Sequence, residues 1–391
     1  MYPKLILKSG KDQSLRRYHP WVFSGAVKKI KGDIAEGDLI QVFDNKDEYL
    51  GIGHYNDGSI MVRMLSFSED SITDEFWKRK VEEAWALRKR LELTDGTNTN
   101  VFRLINAEGD GLPGLIADYY NGTVVMQKHS IGIHMNSDQI VKAIKDVLGE
   151  KLEAIYDKSE ATLPAKLEVK NSFLYGKVAK GEVSEYGNLF NIDWKKGQKT
   201  GFFIDQRENR KLLEKYSKDA KVLNMFGYTG GFSVYAMRGG AEKVHSVDSS
   251  AKAIDLTKEN IKLNFGQDKR HEAYAVDAFK FLDDIKDKYD IIILDPPAFA
   301  KHHNVLHNAL QGYKKLNAKA IEQIQAGVII YTFSCSQVVS KENFRKSVFA
   351  AAANTGRRVR VLHQLTQPAD HPVSIYHPEG EYLKGLVLQV D

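Results

Sequence analysis

The first 68 residues alternate apolar and polar positions in short runs: "KLILKSG", "WVFSGAV", "DLIQVFD", "YLGIGHYN" and "SIMVRMLS". Alternation with a period of two turns one side of each run inward and the other to water, which predicts half-buried strands. Gly, Asn or Asp breaks fall roughly every 8–12 residues, so residues 1–70 read as a small β-barrel. From 71 to 93 the period lengthens. Phe76, Val81, Trp85 and Leu87 recur among Lys, Arg and Glu, predicting an amphipathic helix that "TDGTNTN" stops. Residues 71–193 as a whole mix strands ("VFRLINAEG", "LIADYYNGTVVMQKH") with one more helix near 135–148, a central α+β domain. "AEGDGLPG" is a connector shaped by Gly and Pro, and Trp77 and Trp85 are expected in the core.

Beyond Trp194 buried strands alternate with helix-length runs. "AKVLNMFG", "KVHSVDSS", "YDIIILDPP" and "GVIIYTFSC" are strands; "GGFSVYAMRGG", "AKAIDLTKENIKLNF", "NALQGYKKLNAKAIEQI" and "SKENFRKSVFAAAANTG" are helices. Such alternation implies right-handed crossovers and an α/β, doubly wound, Rossmann-like parallel sheet over 194–391. A hairpin is expected at the C-terminus, with His371 and His377 between its strands in hydrogen-bonding roles.

Composition narrows the class. The 391 residues are 42% hydrophobic and 27% charged, which excludes wholesale disorder. Apolar runs such as "IIIL" fall far short of the roughly 20 residues that span a bilayer. The start "MYPKLILKSGK" lacks the apolar core of a secretory signal. A lone cysteine, Cys335, excludes an internal disulfide and a Cys-rich zinc site, so a cytoplasmic protein without a membrane partner is expected. Residues 1–32 hold eight basic side chains against one acid, Asp12, a net +7, leaving −2 for the other 359 residues of a chain whose total is +5. That asymmetry suits a polyanionic partner, or simply a basic solvated surface.

In open α/β sheets ligands sit beyond the carboxyl ends of the strands, where strand order reverses. The first such end is the glycine-rich turn "NMFGYTGG", which is not the GxGxxG of dinucleotide enzymes. Its glycines allow close backbone approach, and the following helix offers unpaired N–H groups. Asp248 ends the second strand 18 residues beyond Gly230, placed for both hydroxyls of a ribose or to cap the next helix. Asp277, after the third strand, could meet an adenine amino group. Asp295-Pro296-Pro297-Ala298-Phe299 ends the fourth: two prolines stiffen the turn and present an acid beside an aromatic, a holder for a flat polar ring. Cys335, between Ser334 and Ser336 at the end of the next strand, is placed as a nucleophile rather than an inert small hydrophobe. "KHH" at 301–303 with His307 suggests metal binding only superficially, since no carboxylate or cysteine follows at ligand spacing, and no metal is expected.

These residues together resemble class I S-adenosylmethionine-dependent methyltransferases. Over its full length the chain is similar to the bacterial family that methylates carbon 5 of a cytosine in large-subunit ribosomal RNA. "HPWVFSGAV" at 19–27 resembles the start of that family's PUA RNA-binding barrel, and "KTGFFIDQRENR" and "ADHPVSIYHPEGEYLKGL" resemble further family segments. The resemblance implies S-adenosyl-L-methionine as cofactor and ribosomal RNA, naked or in a subunit, as partner; a homodimer is left open. Cofactor contacts would come from Asn224, Phe226, Gly227 and Gly230 along the methionine part, Asp248 on the ribose, Asp277 on the adenine and Asp295, with Phe202, Gln206 and Arg210 closing the site. Pro296, Pro297 and Phe299 would meet the target base, and Arg16, Arg17, Lys28 and Lys29 the phosphates. Catalysis would fall to Cys335, adding to carbon 6 of the ring, and Asp295, donating to its N3 and O2 side from a carboxyl kept protonated by burial. No residue is assigned to remove the carbon-5 proton. Two rivals stand beside this reading: direct transfer to another base, which has no use for Cys335, and a non-catalytic RNA-binding assembly factor.

Overall fold

The structure, a computed structural model, describes residues 2–69, 71–177, 181–300 and 302–391 and forms two compact units. One comprises Met1–Ser184, Asp193–Phe202 and Ala369–Gly380; the other comprises Glu185–Ile192, Phe203–Pro368 and Glu381–Asp391.

In the first unit β1 (Lys4–Leu7), β2 (Trp21–Phe23), β3 (Val27–Lys31), β4 (Leu39–Phe43), β5 (Tyr49–Tyr55) and β6 (Ile60–Ser66) form one sheet, ordered β2-β6-β5-β4-β1-β3. Only β1 and β4 run parallel. The register shifts in every antiparallel pairing. Such irregularities bend and twist strands, which curls the sheet over Leu5, Leu7, Val22, Ile40, Val42 and Val62, with Leu15 of the one-turn helix α1 (Gln13–Arg16) among them.

A second sheet in the same unit runs β11-β10-β9-β8-β7, from β7 (Val101–Asn106), β8 (Leu115–Tyr120), β9 (Thr123–Lys128), β10 (Ala154–Asp157) and β11 (Ser172–Tyr175). The expected helices are present as α2 (Asp74–Arg90) and α4 (Ser137–Leu148), the latter preceded by the short α3 (Ile131–Met135). α2 packs on α4 through one apolar stripe of each, and Trp77 is buried there with Trp85 packed against it. Arg88 forks onto Asp110 at 2.6 and 2.8 Å and reaches the Asp370 carbonyl at 2.7 Å. His371, fully buried, meets Asp370 at 3.1 Å.

β12 (Glu182–Glu185) and β13 (Asn188–Asn191) stand where the chain passes between units. The second unit then alternates as expected: α5 (Arg207–Tyr216), β14 (Lys221–Met225), α6 (Gly231–Arg238), β15 (Lys243–Asp248), α7 (Ala251–Phe265), β16 (His271–Ala275), α8 (Ala278–Phe281), β17 (Ile291–Leu294), α9 (Leu306–Glu322), β18 (Ile329–Ser334), α10 (Lys341–Thr355), β19 (Val359–Leu365) and β20 (Lys384–Val390). Its sheet is ordered β16-β15-β14-β17-β18-β20-β19. The first five strands are parallel, and β20 inserts antiparallel between β18 and β19, so the sheet is mixed at that edge. The chain leaves β14 in one direction and returns at β17 on its other side, which opens a crevice at their carboxyl ends. Among the described residues no helix is long and apolar enough to cross a membrane.

Candidate functional site

Strand register brings the expected residues to one level. Met225 pairs with Val247 and with Leu294, and Leu294 with Thr332. Phe226, Asp248 and Asp295 therefore each emerge one residue past a shared row, and Cys335 follows three residues past Thr332.

The turn after β14 holds Phe226 at φ 60° and Tyr228 at φ 45°, left-handed values that bulky side chains rarely adopt. Such backbone persists only where its surroundings over-determine it. Here Tyr228 N donates to Asp248 Oδ2 at 3.1 Å, while α7 supplies Thr257 Oγ1 to the Tyr228 carbonyl and Asn260 Nδ2 to the Thr229 carbonyl, both at 2.9 Å. Gly230 has φ 76°, and a Cβ there would stand 2.7 Å from Thr257 Cγ2, so only glycine seats the turn on α7. Asn224 is buried beneath, donating to Ser233 Oγ at 2.9 Å, and its Oδ1 is buried without a hydrogen-bond partner. Gly227 is half-buried in the same turn.

Asp248 does not cap α7. That position is Ser250, whose side chain accepts from Ala253 N, and Asp248 Oδ1 accepts from Ser250 N at 2.9 Å. Asp277 is exposed and does cap α8, accepting from Lys280 N at 3.0 Å.

The two loops beyond β17 and β18 are latched together. Cys335 Sγ lies 4.0 Å from the Pro296 carbonyl oxygen, and Ser336 Oγ donates to the Ala300 carbonyl at 2.6 Å. Pro296 is buried, Pro297 exposed, and Asp295, Phe299 and Cys335 half-buried. Tyr313 of α9 ties the group from below: its ring lies 4.7 Å from that of Phe299, and its hydroxyl accepts from Ser334 Oγ at 2.9 Å. Burial pushes that hydroxyl up to about 12, and the negative forms of Cys335 and Asp295 push the same way. Gly312, one residue earlier, clears room for Phe299, whose Cδ2 would lie 2.9 Å from a Cβ there. Sequence reasoning missed Tyr313; its only signal was a polar-tipped aromatic on the buried stripe of a helix.

Of the segment ahead of α5, Gln206 reaches the site: its Nε2 donates to Asp295 Oδ2 at 3.1 Å, and its Oε1 accepts from Asn209 at 2.6 Å. Arg210 is buried and pairs with a carboxylate of the chain itself, Glu185, at 2.9 and 2.7 Å, while Nη1 donates to the Phe203 carbonyl at 2.9 Å. Tyr235 adds a hydroxyl to Glu185 at 3.0 Å. The sequence gives no hint of Glu185. Phe202 is buried in the first unit.

Arg17, just after α1, and Lys28 and Lys29 of β3 are exposed. Arg16 is encircled by Asp12, Asp44 and Glu48 at 2.6, 2.9 and 2.7 Å, so its charge is met within the chain. In the histidine cluster, Lys301 and the His303 side chain lie outside the described residues. Among those described, no group of three or more His, Cys, Asp or Glu is placed to hold a metal.

Comparisons with known proteins bear on this arrangement. A PUA-like domain family matches residues 5–67, and an S-adenosylmethionine-dependent methyltransferase family matches 171–372. A ribosomal RNA large subunit methyltransferase I from Alteromonas mediterranea is 41% identical across all of this chain and 99% of its own. One from an Enterobacter species is 37% identical over the whole of both chains. Among solved structures, a Streptococcus mutans protein assigned as a SAM-dependent methyltransferase superposes over the full length of both chains with TM-score 0.85 at 23% identity, which speaks to the fold. A structure with the same scores, likewise assigned as a methyltransferase, is complexed with SAH.

Proposed function

The chain belongs to the S-adenosylmethionine-dependent ribosomal RNA large-subunit methyltransferase family, and from that premise we propose that it makes 5-methylcytosine through a covalent adduct of Cys335 with carbon 6 of the base. The observation that carries this reading is the seat of Cys335, the chain's one thiol, 4.0 Å from the Pro296 carbonyl of the stiff turn that bears Asp295.

The residues present fit the cofactor. Each Asp248 oxygen accepts one loop amide, and a carboxylate oxygen has lone pairs to spare for a ribose hydroxyl. The strained 226–230 turn fixes backbone amides at the start of α6, beside the crevice. When bound, S-adenosylmethionine supplies a methyl group on a positively charged sulfur, which leaves as a neutral thioether.

The chain's part begins with the Cys335 thiolate. Its sulfur forms a bond to carbon 6, and the displaced π pair makes carbon 5 nucleophilic enough to take the methyl group. A protonated Asp295, its Oδ2 accepting from Gln206, would lend a hydrogen bond to the N3 and O2 side as negative charge develops there and would keep its proton when Cys335 leaves. A base then takes the proton from carbon 5, that C–H pair re-forms the ring double bond, and Cys335 leaves as the thiolate it began as. The target cytosine has to leave its stack to reach this crevice, with Phe299 offering a ring and Pro296 and Pro297 a rigid wall. We assign residues 1–70, 71–193 and 194–391 to the RNA-binding barrel, the central domain and the catalytic domain.

Nucleoside mass spectrometry of ribosomal RNA incubated with the protein and methyl-labelled S-adenosylmethionine tests the reaction. Label in 5-methylcytidine is expected. Label in a methylated purine, or none, would falsify the cytosine assignment while leaving fold and cofactor intact.

The barrel's share is read from salt dependence. Each phosphate neutralised adds nearly one to the slope of log affinity on log salt. Replacing Arg17, Lys28 and Lys29 together by alanine is expected to lower that slope by about 1–3 in filter binding. Arg16→Ala, whose charge three carboxylates already meet, should change it by well under one.

A further inference from the structure

A thiol that attacks at neutral pH needs a neighbouring positive charge to favour its thiolate. Strand β20 carries one. Lys384 pairs directly with Ser334 in the antiparallel register, so its Cα stands one residue before the level of Cys335. Its Nζ donates to the Ser336 carbonyl at 2.5 Å, one residue beyond. The side chain thus runs along the backbone that presents the thiol. Only 4% of it is exposed, in a strand whose next four residues are all buried and include no other charge. Lysine is among the residues least often buried without a partner, and nothing in the packing of β20 asks for one here.

The electrostatics agree with the geometry. Burial draws the Lys384 ammonium down to about 8, whereas the negative form of Cys335, and after it Glu381, pull it up; Lys341 pushes it down. Glu381 is itself engaged by Lys341 at 2.8 Å, which leaves the thiolate as the nearer claim on the ammonium. From α9 the Tyr313 hydroxyl faces Cys335 and Asp295, adding no positive charge to the pocket.

We propose that Lys384 is a positioning residue whose buried ammonium holds Cys335 as the thiolate, ready before substrate arrives. No proton passes between them: the thiol proton goes to solvent, Lys384 keeps its own, and the expelled sulfur at the end of the cycle returns to the same field. The ammonium persists below about pH 8 and is lost above it. The inference rests on Cys335 being the nucleophile, yet it can be tested without any turnover.

Because Cys335 is the only cysteine, iodoacetamide alkylation of the full chain followed by intact mass spectrometry titrates it directly. The midpoint in the wild-type protein is expected at least one pH unit below the ordinary thiol value of about 8.5. Lys384→Met should raise it by about one unit and slow alkylation at pH 7 about tenfold, and Lys384→Arg should restore it. A wild-type midpoint at or above about 8.5 overturns the proposal even if Lys384→Met does not fold, and so does a folded Lys384→Met or Lys384→Gln with an unchanged midpoint. The two readings fail separately. A low midpoint in a protein whose Cys335→Ala form still methylates RNA removes the nucleophile and keeps the ion pair.

Discussion

Cys335→Ala is expected to lower kcat by at least about 10³-fold while S-adenosylmethionine affinity, read by isothermal titration, stays within about twofold. Carbon 5 of cytosine is a weak nucleophile until carbon 6 carries a sulfur, so removing the thiol removes the reaction path and not merely an accelerant. The side chain is half-buried, and its contact with the Pro296 carbonyl is a long one at 4.0 Å, so its loss should not disturb the fold. Asp248→Ala should behave in the opposite way. It deletes the acceptor for Tyr228 N along with those offered to the ribose, about 1–3 kcal/mol of hydrogen bonding, and should weaken cofactor binding about 10–100-fold. At saturating cofactor much of its kcat should return. A Cys335→Ala enzyme with more than about a tenth of wild-type activity would establish direct transfer instead.

The contrast between these two residues also marks what could be read from the chain before its fold was known. Asp248, Asp295 and Cys335 were legible because each ends an apolar strand, and parallel strands that alternate with helices must bring their carboxyl ends to one edge. The barrel and the amphipathic helices were legible for a similar reason: periods of 2 and 3.6 are local properties. Lys384 was not. Its position beside Cys335 comes from β20 inserting between β18 and β19, a pairing of segments about 50 residues apart that no local period encodes. Tyr313 was hidden differently, as one apolar member of a helix stripe whose hydroxyl matters only once Ser334 lies above it. Charged residues misled where neighbours in space cancel them, as Asp12, Asp44 and Glu48 do for Arg16. Arg210 was expected to close the cofactor site, and in the structure its fork meets the carboxylate of Glu185.

That pair sets the second large expectation. Arg210 and Glu185 are both buried, so Arg210→Met leaves a carboxylate with no countercharge in a region water does not reach. Breaking such a pair from one side costs about 3–5 kcal/mol. For a unit of this size that corresponds to a fall of roughly 10 °C in the melting of the second unit, measured by calorimetry. Adding Glu185→Gln to Arg210→Met should recover most of the loss, since no isolated charge remains and the amide oxygen can still accept from the Tyr235 hydroxyl. The pair also bears on the cofactor turn. A Cβ on Gly231 would stand 3.1 Å from Arg210 Cδ, so the arginine stem lies against the first residue of α6. Its Nη1 holds the carbonyl of Phe203, whose ring lies 5.1 Å from that of Tyr228 in the strained turn. Cofactor affinity should therefore fall in Arg210→Met and return together with stability in the double variant. A double variant that regains its melting temperature but stays weak for S-adenosylmethionine would mean that the guanidinium touches the cofactor as well as Glu185. One that regains neither would mean that the Phe203 carbonyl, and not the charge on Glu185, is what Arg210 chiefly holds.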